Sequence, residues 1–84
     1  MAEKRLRYHA LLKRARRFGV NEALPPGGGS HRKWIRVVDG ETLSFPVTCH
    51  NEGMEIGEGL VRSMRRHLKL DSASGVTDFQ FYEA

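Results

Sequence analysis

The stretch Gly27-Gly28-Gly29-Ser30-His31-Arg32-Lys33 gathers the side-chain types that phosphate chemistry needs. A run of glycines lets backbone amides approach a phosphate, a serine hydroxyl can donate to one, and arginine and lysine add positive charge. His31 stands where this loop meets the first strand-like run. An imidazole ordinarily titrates at about 6.5, so it takes up and returns a proton near neutral pH. On pattern alone, a lone histidine after a glycine loop is more often a plain surface residue. Other candidates are weaker. His50 follows the second strand-like run and reads either as a second proton carrier or as a loop-capping polar residue. Cys49 falls on the inward side of that run, as a buried thiol does; a Cys49–His31 nucleophile pair lacks a third group to orient it. His9 and His67 fall on helical stretches and read as structural or surface residues.

Charge points to the class of partner. The chain carries fourteen Lys+Arg against ten Asp+Glu, a formal net charge of +4. Arg5, Arg7, Lys13, Arg14, Arg16 and Arg17 crowd the N-terminal stretch, Arg32, Lys33 and Arg36 follow His31, and Arg62, Arg65, Arg66 and Lys69 form a third group. Each group alone reads equally as a solvated face, but three in one small domain suggest a polyanion, with phosphate contacts giving sequence-independent affinity. An acidic protein would be served by the same charges.

The elements that must position these residues follow from periodicity. Leu6, Tyr8, Leu11, Leu12, Ala15 and Phe18 recur at helical spacing and predict an amphipathic helix, ended by Gly19 as a left-handed cap. Asn21 to Gly29 is rich in proline and glycine, so it is expected to be a loop or at most a short, irregular edge strand. Lys33 to Val37 and Thr42 to Cys49 read as strands around Asp39-Gly40. A two-residue turn would set Arg36 opposite Leu43 and put a charge on the apolar face. A three-residue loop, Val38-Asp39-Gly40, sets Ile35 opposite Leu43 instead and groups Ile35, Val37, Leu43, Phe45 and Val47. That register is the one expected, with Trp34 and Arg36 on the open face, where Trp34 could stack on a base. Pro46 implies an edge position or a bulge.

A second helix is expected with Ile56, Leu60, Val61, Met64 and Leu68 as its apolar stripe and Arg62, Arg65, Arg66 and Lys69 as the other. Asp71 to Gly75 breaks it. The tail, with Val76, Phe79, Phe81 and Tyr82, is apolar enough to pack back as core filling. The fold class is therefore α+β: one domain over residues 1–84, two helices on one face of a small antiparallel sheet of two to three strands. A single cysteine excludes an internal disulfide and fits a reducing compartment. The four histidines lack short paired ligand spacings, so neither a metal framework nor a cofactor is expected. No apolar run approaches the ~18 residues of a membrane span and the first residues are charged, which predicts a cytoplasmic protein without membrane attachment.

Gly29-Ser30-His31, followed in order by Trp34-Ile35-Arg36, Asp39-Gly40, Phe45-Pro46-Val47 and His50, resembles the HicA (YcfA-like) mRNA interferase toxins of type II toxin–antitoxin systems. Leu11-Leu12-Lys13 through Phe18-Gly19-Val20 is similar to that family's opening helix. Glu55-Ile56 and Gly59-Leu60-Val61-Arg62-Ser63-Met64 are similar to its closing helix. The likeness covers roughly residues 6 to 70, leaving 71–84 as a C-terminal tail. It implies a double-stranded-RNA-binding-domain-like fold, cleavage of mRNA, and neutralisation by a HicB-like antitoxin. The family's catalytic histidine maps onto His31. RNA supplies its own 2′-hydroxyl nucleophile, so the expected activity is metal-independent. Gly29 and Ser30 would hold the phosphate, Arg32 and Lys33 position it, and Trp34, Arg36, Lys13 and Arg17 add RNA contacts. The family has a strand where this chain has Asn21 to Gly28, and the Phe79 to Tyr82 tail runs past its usual end. A non-catalytic RNA-binding module and a basic protein-interaction domain are the alternatives.

Overall fold

The computed structural model describes residues 6–83, in the order β1 (Leu6–Arg7), α1 (Tyr8–Arg16), β2 (Asn21–Ala23), β3 (His31–Val38), β4 (Glu41–Thr48), β5 (Glu55–Ile56), α2 (Glu58–His67), a 3-10 turn (Ser72–Ser74) and α3 (Asp78–Tyr82). Strands β2, β3 and β4 make an antiparallel sheet with β3 in the middle, and β1 pairs with β5 in a separate two-stranded ribbon. The chain is thus a small α+β protein. Of the stretch expected to be a loop or at most a short edge strand, Asn21–Ala23 forms the three-residue edge strand β2 and the rest is loop, and Pro46 falls on the other edge strand, β4.

The hairpin between β3 and β4 overturns the expected register. Asp39 and Gly40 both take left-handed backbone, with φ of 51° and 80°, as a two-residue type I′ turn requires. Arg36 therefore pairs with Leu43 and Trp34 with Phe45. Trp34 and Arg36 point to the helices, while Ile35 and Val37 lie on the open face, Val37 being 64% exposed. The objection to this register was a charge on the apolar face, and the tertiary structure answers it. Arg36 donates from Nε to the Phe18 carbonyl (2.9 Å) and from Nη1 to the carbonyls of Leu68 (2.9 Å) and Lys69 (3.0 Å). Those oxygens terminate α1 and α2, where helix carbonyls lack internal partners and the dipole is negative.

One apolar cluster joins the inner sheet face to the helices. Tyr8, Leu11, Leu12 and Ala15 come from α1, Trp34, Phe45, Val47 and Cys49 from the hairpin, Val61 and Met64 from α2, and Phe81 and Tyr82 from α3. Helix α1 has no capping side chain; the amides of Tyr8 and His9 donate instead to the carbonyls of Met54 (2.8 Å) and Glu52 (3.0 Å). Its far end closes as expected on Gly19 (φ 86°), with Val20 N–H on the Ala15 carbonyl at 3.3 Å. Helix α2 ends on the same motif with Lys69 in the glycine position (φ 56°), Leu70 N–H reaching the Arg65 carbonyl.

Leu6 and Ile56, expected to open the two helices, instead pair with each other across β1 and β5, and two further assignments on the second helix are corrected. Leu60, placed in the apolar stripe, is 41% exposed, and Arg65, placed on the solvated face, is only 1% exposed. Arg65 donates from Nε to the Leu70 carbonyl (2.8 Å), from Nη1 to Asp78 Oδ1 (2.8 Å) and from Nη2 to the Val76 carbonyl (3.1 Å). Its guanidinium lies over the rings of Phe81 and Tyr82. The tail is thereby clasped onto α2, and a capping box between Thr77 and Gln80 starts α3. Phe81 and Tyr82 fill the core as expected of the tail, whereas Phe79 is exposed. Replacing Arg65 by Met strands the Asp78 carboxylate and two carbonyls, so Arg65→Met is expected to lose about 3 kcal/mol in urea unfolding. The neighbouring exposed Arg66→Met should change stability by less than about 0.5 kcal/mol.

Candidate functional site

The parity of β3 sorts the expected site residues onto two sides of the sheet. His31 and Lys33 lie on the open face, both exposed, with His31 opposite Thr48 and Lys33 between Ala23 and Pro46. Arg32, Trp34 and Arg36 lie on the helix-covered face. Trp34 is 0% exposed, so the expected base-stacking role on an open face is corrected: its ring belongs to the core. Arg36 is committed to helix-end carbonyls. Lys13 and Arg17 are exposed but stand on α1 and its C-cap, across the sheet from His31. Cys49 is buried on the inner side, away from His31, which separates the conceivable thiol–imidazole pair. Its amide donates to the Ser30 carbonyl at 2.8 Å, so the backbone of exposed His50 runs beside the glycine loop; no hydrogen bond joins His50 to His31 among the described residues. Arg5, counted with the first basic group, lies outside the described residues.

The loop before His31 is built rather than slack. Gly28 N–H donates to the Pro25 carbonyl at 3.2 Å, closing a turn with Pro26 first and Gly27 second at its centre. Gly27 has φ of 76°, which suits glycine after proline in a type II turn. Gly28 and Gly29 continue with φ of 86° and 119°, conformations that side chains resist. The loop and strand enclose a half-open groove of about 300 Å³ lined by Ala23, Leu24, Pro25, Pro26, His31 and Lys33. Ser30 precedes it, half-buried.

Beneath the sheet lies a polar cluster that the sequence did not single out. Tyr8 Oη donates to the Glu22 carboxylate. Trp34 Nε1 shares its hydrogen between Tyr8 Oη (3.1 Å) and Glu22 Oε2 (3.3 Å), and Arg32 Nη1 stands 3.4 Å from both Glu22 oxygens and 3.5 Å from Glu52. Arg32, expected to position phosphate, is instead paired with carboxylates beneath His31. The only sequence signal was indirect: a buried indole needs an acceptor, and Glu22 is the acid in the strand beside it. Burial, and then the hydrogen bond to Glu22, push the Tyr8 hydroxyl up to about 12. Burial alone would raise Glu22, but the hydrogen bonds from Tyr8 and Trp34 and the charge of Arg32 outweigh it and hold the carboxyl below its ordinary value.

Among the described residues there is no group of three or more side chains able to hold a metal, and no helix is long and apolar enough to cross a membrane. No family model, curated protein or solved structure matches the chain.

Glu22 and Tyr8 predict opposite pH dependences. Glu22 favours its charged form in the folded state, so its contribution is present above pH 4.5 and is lost as pH falls through the lowered folded value; Glu22→Gln should flatten the acid limb of stability below pH 4.5. Tyr8 favours its neutral form, so its contribution holds below pH 10.0 and is lost as pH rises toward 12. Absorbance titration should show a tyrosine ionising near 12 that is missing in Tyr8→Phe.

Proposed function

We propose that this protein is a ribonuclease toxin of the HicA type, acting on mRNA in the cytosol, with His31 as the proton carrier. The observation that carries the reading is the company of His31. An exposed imidazole begins the central strand, beside a formed glycine loop, with the Lys33 ammonium two residues along on the same face. The double-stranded-RNA-binding-domain-like fold class is part of this reading; helices on one face of a three-stranded antiparallel sheet are compatible with it.

The step needs few parts. His31 takes the proton from a ribose 2′-hydroxyl, the 2′-oxygen attacks the adjacent phosphorus, and the bond to the 5′-oxygen of the next nucleotide breaks. That oxygen takes a proton from water as it leaves, giving a 2′,3′-cyclic phosphate and a free 5′-hydroxyl, and His31 returns its proton to the hydroxide left behind. Lys33 stabilises the charge that develops on the phosphoryl oxygens, and Gly29 and Ser30 supply backbone and hydroxyl donors. A positioned acid–base group contributes on the order of 10² to 10⁴ in rate. A HicB-like antitoxin would neutralise the enzyme by covering the open face at His31; a complex that still cleaves RNA fully would exclude that mode.

Purified protein incubated with single-stranded RNA tests the reading. His31→Ala should lose about 10²- to 10⁴-fold in cleavage rate while still binding RNA, and a 2′-deoxy sugar at the cut site should abolish cutting. Equal cleavage by wild type and His31→Ala, or normal cleavage of the 2′-deoxy substrate, would remove His31 or the 2′-hydroxyl from the mechanism. Tight RNA binding without any cleavage would instead make the chain a non-catalytic RNA-binding module.

A further inference from the structure

We propose that the groove beside His31 is a nucleobase subsite, in which one unpaired base of single-stranded RNA lies against Leu24, Pro25 and Pro26 while its phosphate meets His31 and Lys33. The inference builds on the RNA reading above and names the form of RNA and the contact that selects it.

The lining has two unlike ends. Leu24, Pro25, Pro26 and Ala23 make an apolar wall, and His31 and Lys33 bring the polar atoms and the positive charge. An occupant that satisfies both ends must be apolar and anionic in one small unit, as a nucleotide is. Leu24 is 64% exposed, a large aliphatic surface held in water next to a cationic group. The volume of about 300 Å³ falls at the small end of ligand sites and suits one base with its sugar.

The wall is also stiff. Two proline rings and the Gly28–Pro25 hydrogen bond fix its shape, so little ordering entropy is lost when a base settles on it. Bases in an A-form duplex are stacked and paired, with their faces unavailable; only an unpaired base can be turned out onto an apolar wall. The wall side chains carry no hydrogen-bonding groups, so the subsite senses the presence of a base more than its identity. The proline- and glycine-rich segment Asn21 to Gly28, which departs from the HicA pattern, thereby gains a role: it supplies the wall.

The test uses the whole chain and three probes: adenosine 5′-monophosphate, ribose 5-phosphate and inorganic phosphate. Binding is followed by NMR at the Leu24 methyls and the amides of Ala23, His31 and Lys33. The nucleotide should bind about tenfold more tightly than ribose 5-phosphate, within the range for stacking one base, and should move the Leu24 methyls. Leu24→Ser, at an exposed position, should lose most of that preference while its affinity for inorganic phosphate and its unfolding midpoint stay unchanged. Equal affinity for the nucleotide and ribose 5-phosphate, or an unaltered nucleotide affinity in Leu24→Ser, would overturn the subsite. The two proposals fail separately. Nucleotide binding at Leu24 without RNA cleavage keeps the subsite and removes the nuclease; RNA cleavage without a base preference keeps the nuclease and removes the subsite.

Discussion

Trp34 lies wholly inside the protein, and its ring nitrogen finds acceptors there in Tyr8 and Glu22. A buried indole without a partner would lose on the order of 1–3 kcal/mol, so the two acceptors are a condition of its burial. Once Trp34 faces the helices, strand alternation leaves no freedom: Arg32 and Arg36 face inward with it, and His31, Lys33, Ile35 and Val37 face out. The Asp39-Gly40 turn enforces the same parity from the other end of the hairpin. The placement of the candidate site on the uncovered face is thus a consequence of how one tryptophan is satisfied beneath it.

The same constraint redistributes the positive charge. Arg32, Arg36 and Arg65 belong by sequence to basic groups suited to a polyanion, yet each is spent on the protein itself. Arg32 is paired with Glu22 and Glu52, Arg36 ties the ends of α1 and α2 to the sheet, and Arg65 clasps the tail. A guanidinium has five donors in a planar fork, enough to satisfy carbonyls from two or three segments at once, which a lysine ammonium does less well. The basic character that remains near His31 is carried by Lys33 on the strand itself. On the proposed ribonuclease reading, phosphate binding there would depend on a few local groups and the glycine loop more than on a broad electropositive surface.

Much of the architecture was legible. The spacing of Leu11, Leu12 and Ala15 and the cap at Gly19 marked α1; alternation through Leu43, Phe45 and Val47 marked β4; and Phe81 and Tyr82 were recognisable as core filling. The register of the hairpin was not. Its two candidates differ by one residue in loop length, and the choice turned on whether an arginine could sit on the apolar face. That depends on carbonyls from Phe18, Leu68 and Lys69, brought together only by folding. Arg65 was misplaced on the solvated stripe and Glu22 escaped notice for the same reason, since their partners are contributed by other elements: Leu70, Val76 and Asp78 in one case, Tyr8, Arg32 and Trp34 in the other.

Local chain chemistry was therefore enough to mark α1, α2 and the β3–β4 hairpin, and to make the run from Gly27 to Lys33 the place to look for chemistry, because propensity, alternation and turn residues act over a few positions. The side of the sheet each residue occupies, and whether a charge is free or engaged, were decided by folding. Burial and long-range hydrogen bonds set those outcomes, and their energies depend on groups far apart in the chain. His31 is exposed beside an apolar wall because Trp34, three residues on and of opposite parity, is held inside.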